Sequence, residues 1–366
     1  MTTPFFETTD LFERGVGNYV MYRIPGLCTT PNGAVLAWTE ARQGRGGDWD
    51  DIDIVMRRSF DNGVTWDEPR CIVDHNTYGP GPINNCNSIV DTVTGEVHFL
   101  YCYNYSRAFY MKTADDGATF TEPVEITATF EQFRPEYNWN WLAVGLPMGI
   151  QLRNGRLVIP IWISESTTSS HAPNRCATIY SDDHGQTWQR GDIVEDVVPN
   201  NSETVGVELE DGSVLLNIRN RAGVRRRLYS ISQDGATNWS IPQLDPALLE
   251  PTCEASLLRY SWASEGRSRI LFCNPDNDAG KDAKGSVVYR VRRNVTIKMS
   301  YDDCKTWPVS KVIEPGMSGY SALAICPDKT ILCLFERGKP DGTDTDDYLT
   351  LARFNLGWLT DGDDPA

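Results

Sequence analysis

Three residues with chemically active side chains, Arg23, Glu203 and Tyr320, stand at matching places in the sequence. Each precedes a tight turn by nine or ten residues, and these turns are centred at positions 33, 212 and 329. An arginine binds carboxylates through a planar fork of donors, and glutamate and tyrosine side chains can transfer protons. Equivalent offsets in a repeated structure predict that the three side chains meet at one site.

A second set of charged residues, Arg42, Arg219 and Glu336, follows turns of the same kind by seven to nine residues. These side chains could complete an anion-binding site with the first set. They could equally be fasteners, because β-sheet proteins bury arginine–glutamate pairs in networks at strand ends. Spacing alone leaves both interpretations open.

The elements that would position these residues are short strands. Runs rich in β-branched and aromatic residues follow turns of the Asn-Gly or Asp-Gly kind, which favour tight hairpins. The turns are centred at 33, 95, 155, 212, 266 and 329, with a mean step of about 59 residues. No long run has a helical period. The repeat predicts an all-β fold, namely a single six-bladed β-propeller of four-stranded antiparallel sheets over residues 1–366.

A second motif, S-x-D-x-G-x-T-W, repeats out of phase with these turns. Its Asp can accept backbone N–H bonds, its Gly supplies a left-handed residue, and its Trp packs between strands. We therefore interpret the motif as a hairpin staple and not as a calcium or carboxylate site. Cys304 replaces the glycine in the last copy, so we expect that turn to be the most strained. The copies lie at 59–66, 113–120, 181–188, 232–239 and 300–307.

The composition of the chain limits its partners. Its formal net charge is −16, so neither nucleic acid nor an anionic membrane is an expected partner. The histidines and the ten cysteines have no metal-ligand spacing, so we expect no metal, no cofactor and mostly buried free thiols. The N-terminus has no basic or apolar leader, which favours a cytoplasmic protein; a leader cleaved upstream would leave the same sequence. The sequence leaves the oligomeric state open.

Several segments together resemble the exo-sialidase (neuraminidase) family. The stretch Tyr-Arg-Ile-Pro-Gly-Leu at 22–27 resembles its Arg-Ile-Pro motif, and the S-x-D-x-G-x-T-W turns resemble its Asp boxes. Segments 201–219, 292–307 and 319–338 resemble the later motifs of the family, in the same order. The resemblance implies a retaining hydrolase of terminal α-linked sialic acids, with sialylated glycans or free sialosides as substrates.

The resemblance also implies how the substrate is bound. Arg23, Arg219 and Arg292 match the arginine triad that holds the carboxylate of sialic acid. The Arg-x-Asn spacing of the family selects Arg292 over its neighbour Arg293. Arg42 resembles a companion arginine near C4 of the sugar.

The catalytic roles follow from the same resemblance. Tyr320 matches the nucleophile and Glu203 its base, while Glu336 matches the carboxylate that braces the first arginine. In the loop GRGGDWDDID, Asp48 best matches the acid/base catalyst. The loop varies in length across the family, so Asp50 and Asp51 remain alternatives.

Residue chemistry supports a tyrosine nucleophile independently. A sialoside carries a carboxylate on its anomeric carbon, so an anionic nucleophile would be repelled by about 4 kcal/mol at 4 Å and an effective dielectric constant of 20. A neutral tyrosine avoids this repulsion until a base takes its proton. A tyrosine nucleophile is a known property of sialidases.

Three alternatives remain. The stretch VGLPMG at 144–149 departs from the Gly-Pro-Gly of the family. This departure leaves the specificity for the C5 substituent open. A hydrolase or transferase of another 2-ulosonic acid therefore remains an alternative. A non-catalytic sialic-acid-binding propeller would lose Tyr320, Glu203 or the acid, and all are present. A trans-sialidase would need an aromatic acceptor platform, for which Trp139 and Trp141 are candidates.

Overall fold

Tight turns divide the chain into short antiparallel strands. The computed structural model describes residues 3–168, 172–277, 280–281, 287–288 and 291–364. All six predicted turn positions adopt a positive φ, five as glycine and one as Lys329 with φ 67°. No helix in these ranges has the length and apolar character needed to cross a membrane.

The regular secondary structure of the described residues is almost entirely β-strand. Two short helices, α1 (Thr127–Glu131) and α2 (Leu356–Leu359), and two 3₁₀ turns, His75–Thr77 and Ala263–Glu265, interrupt the strands. The strands are β1 (Phe6–Glu13), β2 (Met21–Thr29), β3 (Val35–Arg42), β4 (Ile52–Ser59), β5 (Arg70–Val73), β6 (Ile83–Val90), β7 (Val97–Tyr103), β8 (Arg107–Thr113), β9 (Val124–Glu125), β10 (Trp141–Val144), β11 (Ile150–Gln151), β12 (Leu157–Ser164), β13 (Asn174–Ser181), β14 (Gln189–Ile193), β15 (Asn201–Glu208), β16 (Val214–Asn220), β17 (Arg226–Ser232), β18 (Gln243–Leu249), β19 (Ser256–Ser261), β20 (Arg269–Pro275), β21 (Gly280–Lys281), β22 (Val287–Val288), β23 (Arg293–Ser300), β24 (Val309–Ile325), β25 (Ile331–Arg337) and β26 (Tyr348–Phe354).

Four separate sheets are the blades of a propeller. Blade 1 has the order β2-β3-β4-β5, blade 2 the order β6-β7-β8-β9, and blade 4 the order β15-β16-β17-β18. Blade 3 has the order β10-β12-β13-β14, with the short β11 also paired to β12. Strands joined by short turns pair with their neighbours in sequence, so each blade is an antiparallel meander. The all-β fold and the four-stranded antiparallel blades are thus confirmed.

The last part of the propeller is a single seven-stranded sheet of order β1-β26-β25-β24-β23-β20-β19. Its long strand β24 pairs with β23 through residues 309–317 and with β25 through residues 318–325. The predicted count of six blades is not confirmed, because β24 pairs with both β23 and β25 and so joins the strands of the last two repeats into one sheet. That residues 1–366 form one domain stays a prediction, and the first and last two residues lie outside the described ranges.

Apolar side chains fill the spaces between neighbouring blades. Trp38 of blade 1 packs edge-on against Phe99 of blade 2, with ring centroids 5.1 Å apart, and donates its indole N–H to the carbonyl of Cys86. The indole lies so close to Gly26 that a Cβ there would be 2.0 Å away, so this position requires glycine. All ten cysteines are free thiols, nine of them buried. Burial of apolar surface, worth roughly 25 cal/mol per Å², fixes the innermost strands of the blades relative to one another.

The Asp boxes close hairpins with their own side chains. In the first box, one carboxylate oxygen of Asp61 accepts the N–H of Thr65 at 2.8 Å and the other accepts the Thr65 hydroxyl at 2.6 Å. The hydroxyl and N–H bonds favour the ionised carboxylate and lower the pKa of Asp61 to about 2. The carboxylate is thus occupied within its own turn, as a structural staple requires. Asp115, Asp183 and Asp302 repeat the pattern.

We predict that the turn at Cys304 is more stable with glycine than with alanine. Its φ of 65° is the left-handed conformation that other boxes fill with glycine, and an L side chain there costs roughly 1–2 kcal/mol. Cys304→Gly and Cys304→Ala both remove the thiol from the core, so their difference isolates the backbone effect. In urea denaturation, the free energy of unfolding of the glycine variant should be about 1 kcal/mol higher. Equal values would show that the turn is not strained.

Candidate active site

Bulges in the innermost strands turn side chains into one cavity between the blades. The pairing register shifts at residues 23–26 in β2, 84–87 in β6, 201–204 in β15 and 318–321 in β24. A β-bulge bends its strand and redirects a side chain, and bulges are common beside active sites. Residues from these four bulges line a cavity of about 260 Å³: Arg23, Ile24, Asn85, Ser202, Glu203 and Tyr320.

The cavity brings together seven of the eight site residues predicted from the sequence. The eighth, Glu336 on β25, is fully buried beneath it. The cavity volume is below the roughly 300–1,000 Å³ typical of pockets for drug-sized ligands, so it suits a single small ligand. The seven lining residues are Arg23, Arg42, Asp48, Glu203, Arg219, Arg292 and Tyr320.

Three guanidinium groups surround the ring of Tyr320. Their Cζ atoms lie 5.6 Å (Arg23), 6.0 Å (Arg219) and 4.9 Å (Arg292) from the centre of the ring. Converging planar forks of this kind bind a carboxylate through paired, charge-assisted hydrogen bonds. Arg293, the alternative to Arg292, is exposed on the first residue of β23 and is not among the described residues that line the cavity.

The three arginines differ in how their charge is balanced. Arg23 and Arg219 each pair with a glutamate, at 3.1 and 2.5 Å. Arg292 instead donates to the carbonyl oxygen of Thr252 at 2.7 and 3.2 Å, and no carboxylate in the described part of the chain lies within ion-pair distance of it. A half-buried guanidinium that no carboxylate contacts directly can bind an incoming anion.

Tyr320, Glu203 and Arg219 form a closed triangle of hydrogen bonds. The Tyr320 hydroxyl donates to Glu203 at 2.6 Å. One Arg219 nitrogen donates both to the other Glu203 oxygen, at 2.5 Å, and to the phenol oxygen, at 2.7 Å. Burial acts to raise the pKa of Glu203, but the Arg219 charge and the Tyr320 hydrogen bond outweigh it and hold that pKa at about 2. Burial raises the pKa of Tyr320 despite the arginines, so the proton rests on the tyrosine beside an ionised base.

Glu336 holds Arg23 and the backbone of Tyr320 at once. One oxygen accepts from Arg23 Nε at 3.1 Å and from the N–H of Ile24 at 3.2 Å; the other accepts from Arg23 Nη2 at 3.2 Å and from the N–H of Tyr320 at 3.1 Å. Although burial opposes it, the Arg23 charge lowers the pKa of Glu336. A Cβ at Gly319 would lie 2.3 Å from this carboxylate, so the approach requires glycine.

Asp48 reaches the cavity next to Arg42. A guanidinium nitrogen of Arg42 donates to Asp48 at 2.7 Å, and 38% of the Asp48 side chain is exposed. Arg42 is held in turn by Glu40, a residue that sequence reasoning missed. One Glu40 oxygen accepts two Arg42 N–H groups at 2.6 and 3.2 Å, and the other accepts the N–H of Asn85 at 2.9 Å. The spacing could have revealed Glu40, because residues i and i+2 of a strand share a face.

The two alternative aspartates hold the loop in place. Asp50 accepts the backbone N–H groups of Gly47 and Arg45 at 2.9 and 2.8 Å, and these bonds lower the pKa of its carboxyl group. Asp51 accepts the N–H of Gly81 at 2.7 Å. Of the three aspartates, only Asp48 is among the described residues that line the cavity.

An apolar wall completes the cavity. Leu146, from the divergent VGLPMG stretch, is 2% exposed and packs with Cys253, Tyr320 and the half-buried Ile24. Such a wall offers no hydrogen bond, so it favours an apolar part of a ligand.

Among the residues that the structure describes, one cluster outside the cavity has the side chains to hold a metal ion. Ligand atoms of Asp53, Asp74 and His75 lie within 4.8 Å of one another. They already bond within the protein: Asp53 contacts His75 Nδ1 at 2.6 Å and accepts the Tyr19 hydroxyl at 2.7 Å, and Asp74 accepts the N–H of Asn76 at 2.8 Å. None of the three residues lines the cavity.

Sequence comparison identifies the family. The profile of the BNR repeat-like domain matches residues 37–333, which is most of the chain. The chain belongs to the BNR repeat-like domain family. The resemblance to sialidases that we inferred from the sequence is also confirmed, because curated relatives of the chain are sialidases.

Two of these relatives match most of the BNR repeat-like chain. The sialidase of Micromonospora viridifaciens is 31% identical over 97% of this chain and 55% of its own length. The sialidase of Bacteroides fragilis is 29% identical over 88% of this chain and 61% of its own length. The chain therefore spans little more than half the length of these relatives.

A solved structure shares the fold of this BNR repeat-like chain. The Hadza microbial sialidase Hz136 superposes with a TM-score of 0.80 at 26% identity, over 96% of this chain and 69% of its own. The propeller fold of this chain is thus a known architecture.

Proposed function

We propose that this chain is a retaining exo-α-sialidase that releases terminal α-linked sialic acids from glycoconjugates through a tyrosyl-enzyme intermediate. The observation that carries the proposal is the hydrogen-bonded triangle of Tyr320, Glu203 and Arg219 inside a ring of guanidinium groups. A tyrosine bonded to an ionised base is an activatable nucleophile. The sialidase relatives support the proposed substrate class.

Binding of the substrate carboxylate would position the reacting carbon. In a sialoside this carboxylate is attached to the anomeric carbon itself. If Arg23, Arg219 and Arg292 grip it, the anomeric carbon lies close to the tyrosine that they surround. Holding two reacting groups in place removes much of the entropic barrier to their reaction.

In the first displacement, the Tyr320 oxygen forms a bond to the anomeric carbon while the bond to the leaving oxygen breaks. The phenolic proton passes to Glu203, and Asp48 gives its proton to the leaving oxygen. Because the Glu203 pKa is about 2 and that of Tyr320 is raised, a free phenolate is unfavourable. The proton therefore leaves Tyr320 while its oxygen bonds to the anomeric carbon, so no free phenolate forms. Arg219 contacts both groups and stabilises the charge as it moves.

In the second displacement, Asp48 takes a proton from water, and the resulting hydroxide-like oxygen attacks the anomeric carbon. The bond to Tyr320 breaks, and the phenol oxygen recovers its proton from Glu203. Each displacement inverts the carbon, so the product retains the α configuration. Arg42 and Glu40 keep Asp48 oriented for both steps.

A second candidate is a hydrolase or transferase for another 2-ulosonic acid. The observation behind it is that Leu146 lines the cavity and belongs to the VGLPMG stretch, where the sequence departs from the family pattern. The carboxylate grip and the tyrosine would serve either substrate. A panel of aryl ulosonides that differ at C5 distinguishes the two candidates. If the chain hydrolysed none of them, both enzymatic functions would be excluded.

We predict that the wild-type chain hydrolyses an aryl α-sialoside and releases the α anomer first. Tyr320→Phe should lower kcat/KM by roughly 10³-fold or more, because removal of a nucleophile leaves only slow attack by water. Proton NMR before mutarotation identifies the first anomer, and circular dichroism checks that the variant is folded. Release of the β anomer first would rule out the tyrosine mechanism.

The carboxylate grip predicts different effects for two neighbouring arginines. Arg292→Ala should weaken binding of a sialic acid ligand by more than about tenfold, because a charged hydrogen bond is worth roughly 1.5–3 kcal/mol. Arg293→Ala is the matched control and should bind nearly as well as wild type, since its side chain is exposed. Titration calorimetry measures both, and equal losses would place the carboxylate elsewhere.

The position of the acid predicts a dependence on the leaving group. Asp48→Ala should keep much of its kcat/KM on an activated aryl sialoside, which departs without protonation, and lose roughly 10²–10⁴-fold on a sialyl-oligosaccharide. Glu203→Ala should damage both substrates similarly, because Tyr320 must attack whichever group leaves. If Asp48→Ala damages both equally, while Asp50→Asn or Asp51→Asn shows the leaving-group effect, the acid is another aspartate of the loop.

A further inference from the structure

A rim of aromatic side chains extends outward from the cavity. Tyr105 and Trp162 line the cavity and are almost fully buried, with ring centroids 5.9 Å apart. Trp49 lies next to Tyr105, at 5.0 Å between centroids, and meets Trp141 edge-on at 5.2 Å. We call these four residues the aromatic rim. Trp139, the other tryptophan considered as a platform, is buried in the core.

Trp49 is the exposed member of this rim. Its relative exposure is 48%, whereas Tyr105 is 5% and Trp162 is 3% exposed. A large aromatic group kept in water loses the favourable free energy of burial, and exposed tryptophans with a well-packed support are typical of binding surfaces. Trp49 therefore has the features of a contact residue.

The support of Trp49 is rigid. Trp141 is fixed by a hydrogen bond from its indole N–H to the carbonyl of Ser166 at 2.8 Å. The loop that carries Trp49 is closed by Asp50, which accepts two backbone N–H groups of the same loop. A ring held in this way loses little conformational entropy when a ligand stacks on it.

The position of Trp49 defines which part of a substrate it would meet. It follows Asp48 directly, and in the proposed function Asp48 protonates the oxygen of the leaving group. The cavity of about 260 Å³ is sized for one small ligand, so the leaving group must lie outside it on the Asp48 side. This is where the exposed indole stands, beside the cavity-lining Tyr105.

The chemistry of the loop narrows the type of leaving group. Asp50 and Asp51 lie within two residues of Trp49, and their carboxylates disfavour a second anionic sugar by Coulomb repulsion. A neutral pyranose presents a face of C–H groups, whose slight positive charge suits the negative face of an aromatic ring.

We propose that Trp49 is the platform for the leaving-group sugar and that it selects sialosides whose penultimate residue is a neutral hexopyranose. This inference rests on the proposed sialidase function and adds to it the class of glycan that the site accepts. Trp141 and Tyr105 position the indole and do not themselves contact the leaving sugar.

The test compares two substrates that share the sialic acid and differ in the size and the leaving ability of the group attached to it. Sialyllactose places a neutral sugar on Trp49, whereas the methyl group of methyl α-sialoside is too small to reach it. Trp49→Ala should lose about five- to tenfold in kcat/KM on sialyllactose and stay within about twofold of wild type on methyl α-sialoside. Trp49→Phe, which keeps a ring, should recover most of the loss. Phe60→Ala, at a residue 65% exposed on the first Asp box and outside the cavity lining, is the matched control and should match wild type on both.

The methyl substrate also separates stacking from an indirect effect on the acid. Methanol is a poorer leaving group than a sugar hydroxyl, so a variant that only displaced Asp48 would lose at least as much activity on methyl α-sialoside. Equal losses on the two substrates, or no loss on sialyllactose, would overturn the platform. Faster wild-type hydrolysis of a sialyl-sialic acid than of sialyllactose would overturn the preference for a neutral sugar. If wild type hydrolyses none of these substrates, the proposed function fails and this inference fails with it.

Discussion

The buried carboxylate of Glu336 is the contact on which the rest of the site depends. It lies on β25, in the sheet that contains both ends of the described chain, and it accepts two hydrogen bonds from Arg23 on β2 of blade 1. It also accepts the backbone N–H of Tyr320. Breaking a buried ion pair leaves an uncompensated charge and costs about 3–5 kcal/mol. Arg23, Tyr320 and the junction between the first and last sheets are therefore held as one rigid unit.

The unit is maintained at the expense of regular strand geometry. Ile24, a β-branched residue, has φ 59° where its N–H bonds to Glu336, and a conformation of this kind costs of order 1–3 kcal/mol. Gly319 gives up a side chain so that the carboxylate can approach. Both residues lie in or beside bulges, where inner strands leave their register. Such strained or weakened positions are expected at functional sites, where local conformational preferences are overridden.

The same bulges explain what could be predicted from the sequence. Arg23, Glu203 and Tyr320 have similar offsets from their turns because each lies in a bulge at the same depth of an inner strand. The turns themselves were predictable because all of them need a positive φ. The continuity of β24 through two parts of one sheet could not be predicted, because the pairing of a strand depends on partners that are distant in sequence. Nor could three aspartates in one loop be distinguished by spacing, because only the backbone bonds of Asp50 and Asp51 show which one is left to face the cavity.

Charge balance explains how an acidic chain could bind the anionic substrate proposed for it. With a net charge of −16, the long-range field repels a carboxylate, but at physiological salt it is screened beyond roughly 8 Å. Recognition must then come from contacts inside the cavity, where Arg23, Arg42 and Arg219 are each already paired with a carboxylate. Arg292 contacts a backbone carbonyl and, in the described part of the chain, no carboxylate. A substrate carboxylate could therefore form the direct ion pair that Arg292 lacks, and the Arg292 guanidinium carbon lies 4.9 Å from the centre of the Tyr320 ring, which in the proposed mechanism carries the attacking oxygen.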